Sequence, residues 1–153
     1  MKLDTDNQRL KELPTDAHIV RLPKGLVGLP DLKELEIVFK EDQLPFMWLR
    51  EQSKDGFSFA VIEPASLLDS YSFDVKDEDA SQIGIETGED VLVLNVVTLR
   101  DDAEYPVTMN LAAPIVVNRK TRVGMQVILE DFEKHPTHYP VSQIEKQRVS
   151  CGN

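Results

Sequence analysis

Val91-Leu92-Val93-Leu94-Asn95-Val96-Val97-Thr98-Leu99 sets the fold. Its odd and even positions are alike apolar, and it opens after Thr87-Gly88-Glu89-Asp90 and closes before Asp101-Asp102, both turn-forming sequences. An apolar run this short, rich in β-branched residues and bounded by turn chemistry, reads as a strand covered on both faces. It is therefore the expected central strand of a sheet. Tyr71 to Val75 alternates instead, which predicts a strand with one wet face.

Outward from the centre, the chain is a series of similar short runs. Strands are predicted at 17–22, 35–39, 46–50, 57–62, 71–75, 91–99, 107–111, 115–118 and 123–129. Pro23-Lys24-Gly25, Gly28-Leu29-Pro30-Asp31 and Lys54-Asp55-Gly56 separate several of them with residues that favour turns. Turns about ten residues apart suit a sandwich or a closed barrel. Helix is scarce: Pro30 to Leu35 predicts a turn, and Asp77 to Ile83 one or two helical turns with Asp77 as N-cap. The fold class is all-β, mostly antiparallel. The chain divides into a loose N-terminal arm over 1–16 with a possible single helical turn, one β domain over 17–141, and a mobile C-terminal tail over 142–153.

The length of 153 residues is that of one ordinary domain, and 41% hydrophobic with 29% charged residues is a globular balance. Seventeen Lys and Arg stand against 27 Asp and Glu, a net charge of −10. Phosphate backbones and anionic membranes are repelled by such a chain, so direct nucleic-acid and membrane binding are not expected, whereas a partner with a basic surface is favoured. Met1 to Arg9 has no apolar segment behind a basic one, and no stretch approaches the roughly 18 apolar residues of a membrane span. With Cys151 as the single cysteine, the expected location is the reducing cytoplasm.

No nucleophile elbow, glycine-rich phosphate loop or Cys/His/Asp arrangement is present, which lowers the expectation of catalysis, and no cofactor is expected. His135 and His138, three apart and preceded by Glu130, Asp131 and Glu133, could be imagined as zinc ligands. The favoured reading is a solvated turn around Pro136 and Pro140, since structural zinc usually recruits thiolates. His18 is expected to be a packed or half-exposed strand residue, and Cys151 inert. The acidic clusters at 77–79, 101–104 and 130–133 read individually as solvated loops that guard strand edges, and together as a negative field. Trp48 belongs to the core or anchors an interface.

Thr108-Met109-Asn110-Leu111-Ala112-Ala113-Pro114-Ile115-Val116-Val117-Asn118 resembles the N-L-x-A-P-I-x-x-N signature of the FliW flagellar assembly factor family. Physically it is a corner: Pro114 removes a ladder donor, and the Asn110 and Asn118 amides can bridge backbone groups at the break. Pro23 to Gly28 resembles the family's P-E-G-L-P-G turn, with Lys24 for the acid and Val27 for the proline; Leu29 stands for its phenylalanine. Pro45 to Leu49 is similar to its P-F-x-W-L segment. Ile62-Glu63-Pro64, Tyr71-Ser72-Phe73, Gly124 to Leu129 and Tyr139-Pro140-Val141 fit in order.

The resemblance implies a barrel-like antiparallel β domain that binds flagellin and the translational repressor CsrA. In the mechanism that the resemblance implies, flagellin holds the family's protein until export, and the freed protein then captures CsrA, so flagellin messenger is translated. Candidate contact residues are Asn110, Pro114 and Asn118 at the corner, with Phe46, Trp48, Glu63 and Pro64 nearby. The competing classes are a carboxylate-based enzyme or small-ligand barrel, and a divergent relative with another protein partner.

Overall fold

A computed structural model describes residues 2–4, 19–40, 42, 45–51, 56–64, 68, 71–100 and 104–141. Among the described residues the strands in chain order are β1 (Lys2–Asp4), β2 (Ile19–Arg21), β3 (Glu34–Val38), β4 (Phe46–Arg50), β5 (Ser58–Ile62), β6 (Ser72–Asp74), β7 (Val91–Leu99), β8 (Val107–Met109), β9 (Ile115–Asn118), β10 (Gly124–Gln126) and β11 (Tyr139–Pro140), with a short α-helix, α1 (Asp77–Gln82), after β6 and a 3-10 turn over Gly88–Asp90 before β7. Every strand pairing is antiparallel. The main sheet runs β10-β9-β7-β5-β4-β3-β2, with β8 branching from β7 and carrying β11, while β1 and β6 pair separately.

The two ends of the main sheet meet at one parallel bridge, Arg21 to Val123, where the Arg21 amide donates to the Arg122 carbonyl at 2.9 Å. The sheet is thus curled into a barrel-like shape, and among the described residues its last seam is this one backbone contact.

Side-chain parity along β7 explains the packing. Leu92 and Leu94 point into a core built with Leu35, Leu49, Val61 and Val117, all from strands of the curled sheet, so this is its inside. Val91, Val93 and Val97 point the other way, into a second core closed by Leu3 of β1, Phe73 of β6 and Ala80 of α1. The run is buried without interruption from Val91 to Asn95, as its two-sided apolar pattern requires. β6 and its neighbours alternate, with Tyr71, Phe73 and Val75 buried and Asp74 exposed.

Several boundaries differ from the sequence reading. Lys2–Asp4, within the stretch read as an arm, pairs with β6 and buries Leu3 to 1% exposure. Asp77 is the first helical residue and not the cap; Lys76 occupies the N-cap without a side-chain bond, and Asp77, Glu78 and Asp79 instead place negative charge in the first turn, where the helix dipole favours it. β8 stops at Met109 and β10 at Gln126 because the chain beyond each is committed to the corner described below. The readings for residues 5–16, Ala17, His18, Lys54, Asp55, Asp101 to Ala103 and 142–153, Cys151 included, lie outside the described residues.

Candidate interaction site at the strand break

β8 and β9 pair with successive lengths of β7: Met109 lies opposite Val97, and Ile115 opposite Leu94. Residues 110–114 leave the ladder between them, opposite Asn95 and Val96. Pro114, with no N–H to give, is buried at the point where pairing resumes. The Asn110 amide N–H donates to the Val96 carbonyl at 2.9 Å, and its side-chain oxygen accepts from the Ala112 N–H at 2.9 Å, an Asx-type turn.

Each carbonyl of the corner then receives its own donor. Asn95 Nδ2 reaches the Asn110 oxygen at 2.8 Å, Tyr71 Oη the Leu111 oxygen at 2.7 Å, and the Leu129 N–H the Ala112 oxygen at 2.7 Å. Gln126 Nε2 reaches the Ala113 oxygen at 3.1 Å, and the Val127 N–H the Pro114 oxygen at 2.9 Å. A buried irregular segment is tolerable only when its backbone is satisfied in this way.

Asn118 ends β9 as the second fastening. Its Nδ2 donates to the carbonyls of Ile83 at 2.9 Å and Gly84 at 3.1 Å, tying the sheet to the end of α1. Its Oδ1 accepts from the N–H groups of Lys120 at 2.9 Å and Thr121 at 3.3 Å, shaping the turn into β10. At 3% exposure this amide faces the fold and not the solvent.

Of the other candidate residues, Phe46 and Trp48 lie on β4 opposite Ile62 and Ala60, half-buried against the outer core. Glu63 and Pro64, both buried, follow Ile62, whose partner across the ladder is Asn95. Glu63 and Pro64 thus follow the strand paired with β7, and Phe46 and Trp48 lie one strand further from the corner.

Sequence reasoning did not single out Asn95, Tyr71 and Gln126, and it named His135 only as an imaginable zinc ligand or part of a solvated turn. Asn95, the one amide inside an apolar run, carried a visible signal; the others did not. The solvated-turn reading of His135 is corrected: it is buried, its Nε2 lies 3.0 Å from the Ser72 carbonyl, and its ring meets Tyr71 edge-on at 5.9 Å. The Leu111 N–H to Pro136 carbonyl bond and the β11–β8 pairing draw this turn against the body of the protein. His138 is exposed beside Arg100 and Thr137. Among the described residues no three His, Cys, Asp or Glu side chains are placed to hold a metal.

A cavity of about 190 Å³ adjoins the corner, lined by Leu68, Tyr71, Ser72, Leu111, Lys134, His135 and Tyr139. Among the described residues its lining holds no carboxylate.

Burial holds the Tyr71 phenol well above its usual range, against a smaller opposing effect of the Asn95 hydrogen bond. The folded protein therefore retains this proton where the unfolded chain gives it up, and stability is expected to fall as pH rises past the unfolded phenol value of about 10. Tyr71→Phe should flatten that fall in melting curves recorded from neutral to alkaline pH. It also leaves the Leu111 carbonyl without its donor, a loss of about 1–2 kcal/mol at neutral pH. An alkaline profile identical to wild type would refute this assignment.

The FliW protein family model matches residues 5–141. A flagellar assembly factor FliW of Clostridium kluyveri is 34% identical over 151 residues, spanning 99% of this chain and 100% of that protein. That of Caldicellulosiruptor saccharolyticus is 34% identical over 125 residues, covering 82% and 80%. The crystal structure of a flagellar assembly factor FliW superposes with a TM-score of 0.72 at 31% identity, covering 85% of this chain and 89% of that one. A match over this much of the chain, in sequence and in backbone alike, makes the protein a member of the FliW family.

Proposed function

We propose that this chain acts by protein contact and without catalysis, binding flagellin and the translational repressor CsrA as alternative partners in the cytoplasm. Flagellin awaiting export occupies it; once flagellin has left, the free protein takes up CsrA and flagellin translation resumes. Family membership over residues 5–141 carries this reading. The net charge of −10 supports it, because an acidic body steers toward a basic RNA-binding protein and, docked beside it, repels phosphate. Among the described residues no helix is long and apolar enough to cross a membrane.

Calorimetry of the purified protein against CsrA and flagellin from the same organism tests the proposal. Binding of both is expected, with flagellin displacing CsrA. Association with CsrA should slow as salt rises from about 0.05 to 0.5 M, since screening removes long-range steering. If neither protein bound, the reading would be lost.

A further inference from the structure

We infer that the cavity beside the corner binds a small carboxylic acid whose apolar part is a single ring or a branched chain of similar size. The inference stands apart from the partner reading above, since it concerns a ligand held within one chain.

The cavity has a floor and a mouth of different chemistry. Tyr71, Leu111 and His135, all buried, make the floor. Their polar atoms are already engaged or out of reach. The Tyr71 hydroxyl donates to the Leu111 carbonyl at 2.7 Å, and the Leu111 N–H donates to the Pro136 carbonyl at 3.0 Å. His135 holds Nε2 3.0 Å from the Ser72 carbonyl, and its Nδ1 is sealed from solvent. What the floor offers is therefore ring and methyl surface. Leu68 and Tyr139, partly buried against the same core, continue that surface outward. At about 190 Å³ the space is somewhat larger than the roughly 150 Å³ cavity that takes up benzene, and smaller than the roughly 300 Å³ at which pockets for larger ligands begin. One ring or one isobutyl group, with a short substituent, fits it.

The mouth sets the substituent. Lys134 is the exposed member of the lining and brings it a fixed positive charge. Among the described residues the ion pairs are Arg50 with Glu36 and Lys120 with Asp90, so the Lys134 ammonium is not spent on a carboxylate of the chain. The acids of its own turn lie outside the lining: Asp131 turns Oδ1 to the Lys134 N–H at 3.2 Å, and Glu130 and Glu133 are exposed. An ammonium at the rim of an apolar slot favours an anion whose apolar part enters the slot, because the slot keeps water from one side of the contact. One ammonium matches the single charge of a carboxylate, and the lining has no second Lys or Arg for a phosphate dianion.

Calorimetry and methyl NMR of the full chain with phenylacetate, at about 0.15 M salt, test this. Saturable binding is expected with a Kd on the order of 1 mM, which about ten non-hydrogen atoms of ordinary efficiency supply, and with shifts centred on the Leu68 and Leu111 methyls. Phenethyl alcohol and phenethylamine keep the ring and change the charge, and should bind at least about fivefold more weakly. Acetate keeps the charge without the ring and should not saturate. Lys134→Gln should bring phenylacetate down to the level of the alcohol and leave the alcohol unchanged, whereas Lys134→Arg should keep most of the affinity; melting curves check that both variants are folded. The inference is overturned by absence of saturable phenylacetate binding, or by shifts spread over the surface away from Leu68 and Leu111. Equal binding of acid and alcohol, tighter binding of the amine, or wild-type affinity in Lys134→Gln overturns it as well.

Discussion

Gly25→Ala is expected to destabilise the protein by about 3–4 kcal/mol and lower its melting temperature by roughly 10 °C. Gly25 has φ +67°, a region in which a side chain is strained. A methyl built there would also sit 2.4 Å from the Leu29 oxygen and 2.5 Å from the Pro30 oxygen, both backbone atoms in the same closed loop. The loop cannot yield without breaking the Leu26–Leu29 bridge and the bond from its Gly25 N–H to the Leu22 carbonyl at 2.8 Å. Gly28, at φ +81° with nothing within 4 Å of an added methyl, separates strain from collision. Gly28→Ala should cost only about 1 kcal/mol. Thermal melts of the two variants side by side decide it, and equal losses would mean that the collision is relieved without penalty.

The second large effect is expected at Asn118. Asn118→Ala removes the donors for the Ile83 and Gly84 carbonyls and the acceptor for the Lys120 and Thr121 N–H groups at one stroke. The turn N–H groups lie near solvent and find water, but the Ile83 carbonyl sits beside the outer core. The estimate is about 2–4 kcal/mol, from one or two buried groups left unpaired. Asn118→Asp is the sharper probe. It keeps the acceptor and turns a carboxylate oxygen toward two carbonyls, so at neutral pH it should be at least as harmful as alanine. Urea unfolding would show this as a lowered midpoint with an unchanged slope. A midpoint for Asn118→Asp close to wild type would place the amide outside the fold's requirements.

The corner was legible in the sequence because its chemistry is local. Proline marks where pairing stops, and asparagines on either side mark where backbone groups need side-chain partners. The central strand was legible for a similar reason, since apolar residues at both parities report two covered faces. Much less of what holds the corner could be read. Tyr71 and Asn95 are 24 residues apart, and nothing in either run says that they meet. His135 lies in a polar, proline-containing stretch whose composition signals solvent, and only the return of the chain along β8 buries it. β1 and β11 have three and two residues, too few for any period to show. The named interface candidates divide in the same way: the amides of Asn110 and Asn118 are hydrogen-bonded within the corner and the turn, and Pro114 is buried where pairing resumes.

The parity of β7 has a consequence for how such a chain can drift. Leu92 and Val93 are covalent neighbours, yet they answer to different crowds: one to residues drawn from between Val20 and Val117, the other to Leu3, Phe73 and Ala80. A swelling at Leu92 must be absorbed inside the curl, and one at Val93 under the helix, so compensating changes should sort by odd and even number along a single strand. The wall between two rooms is repaired from whichever side it was pushed.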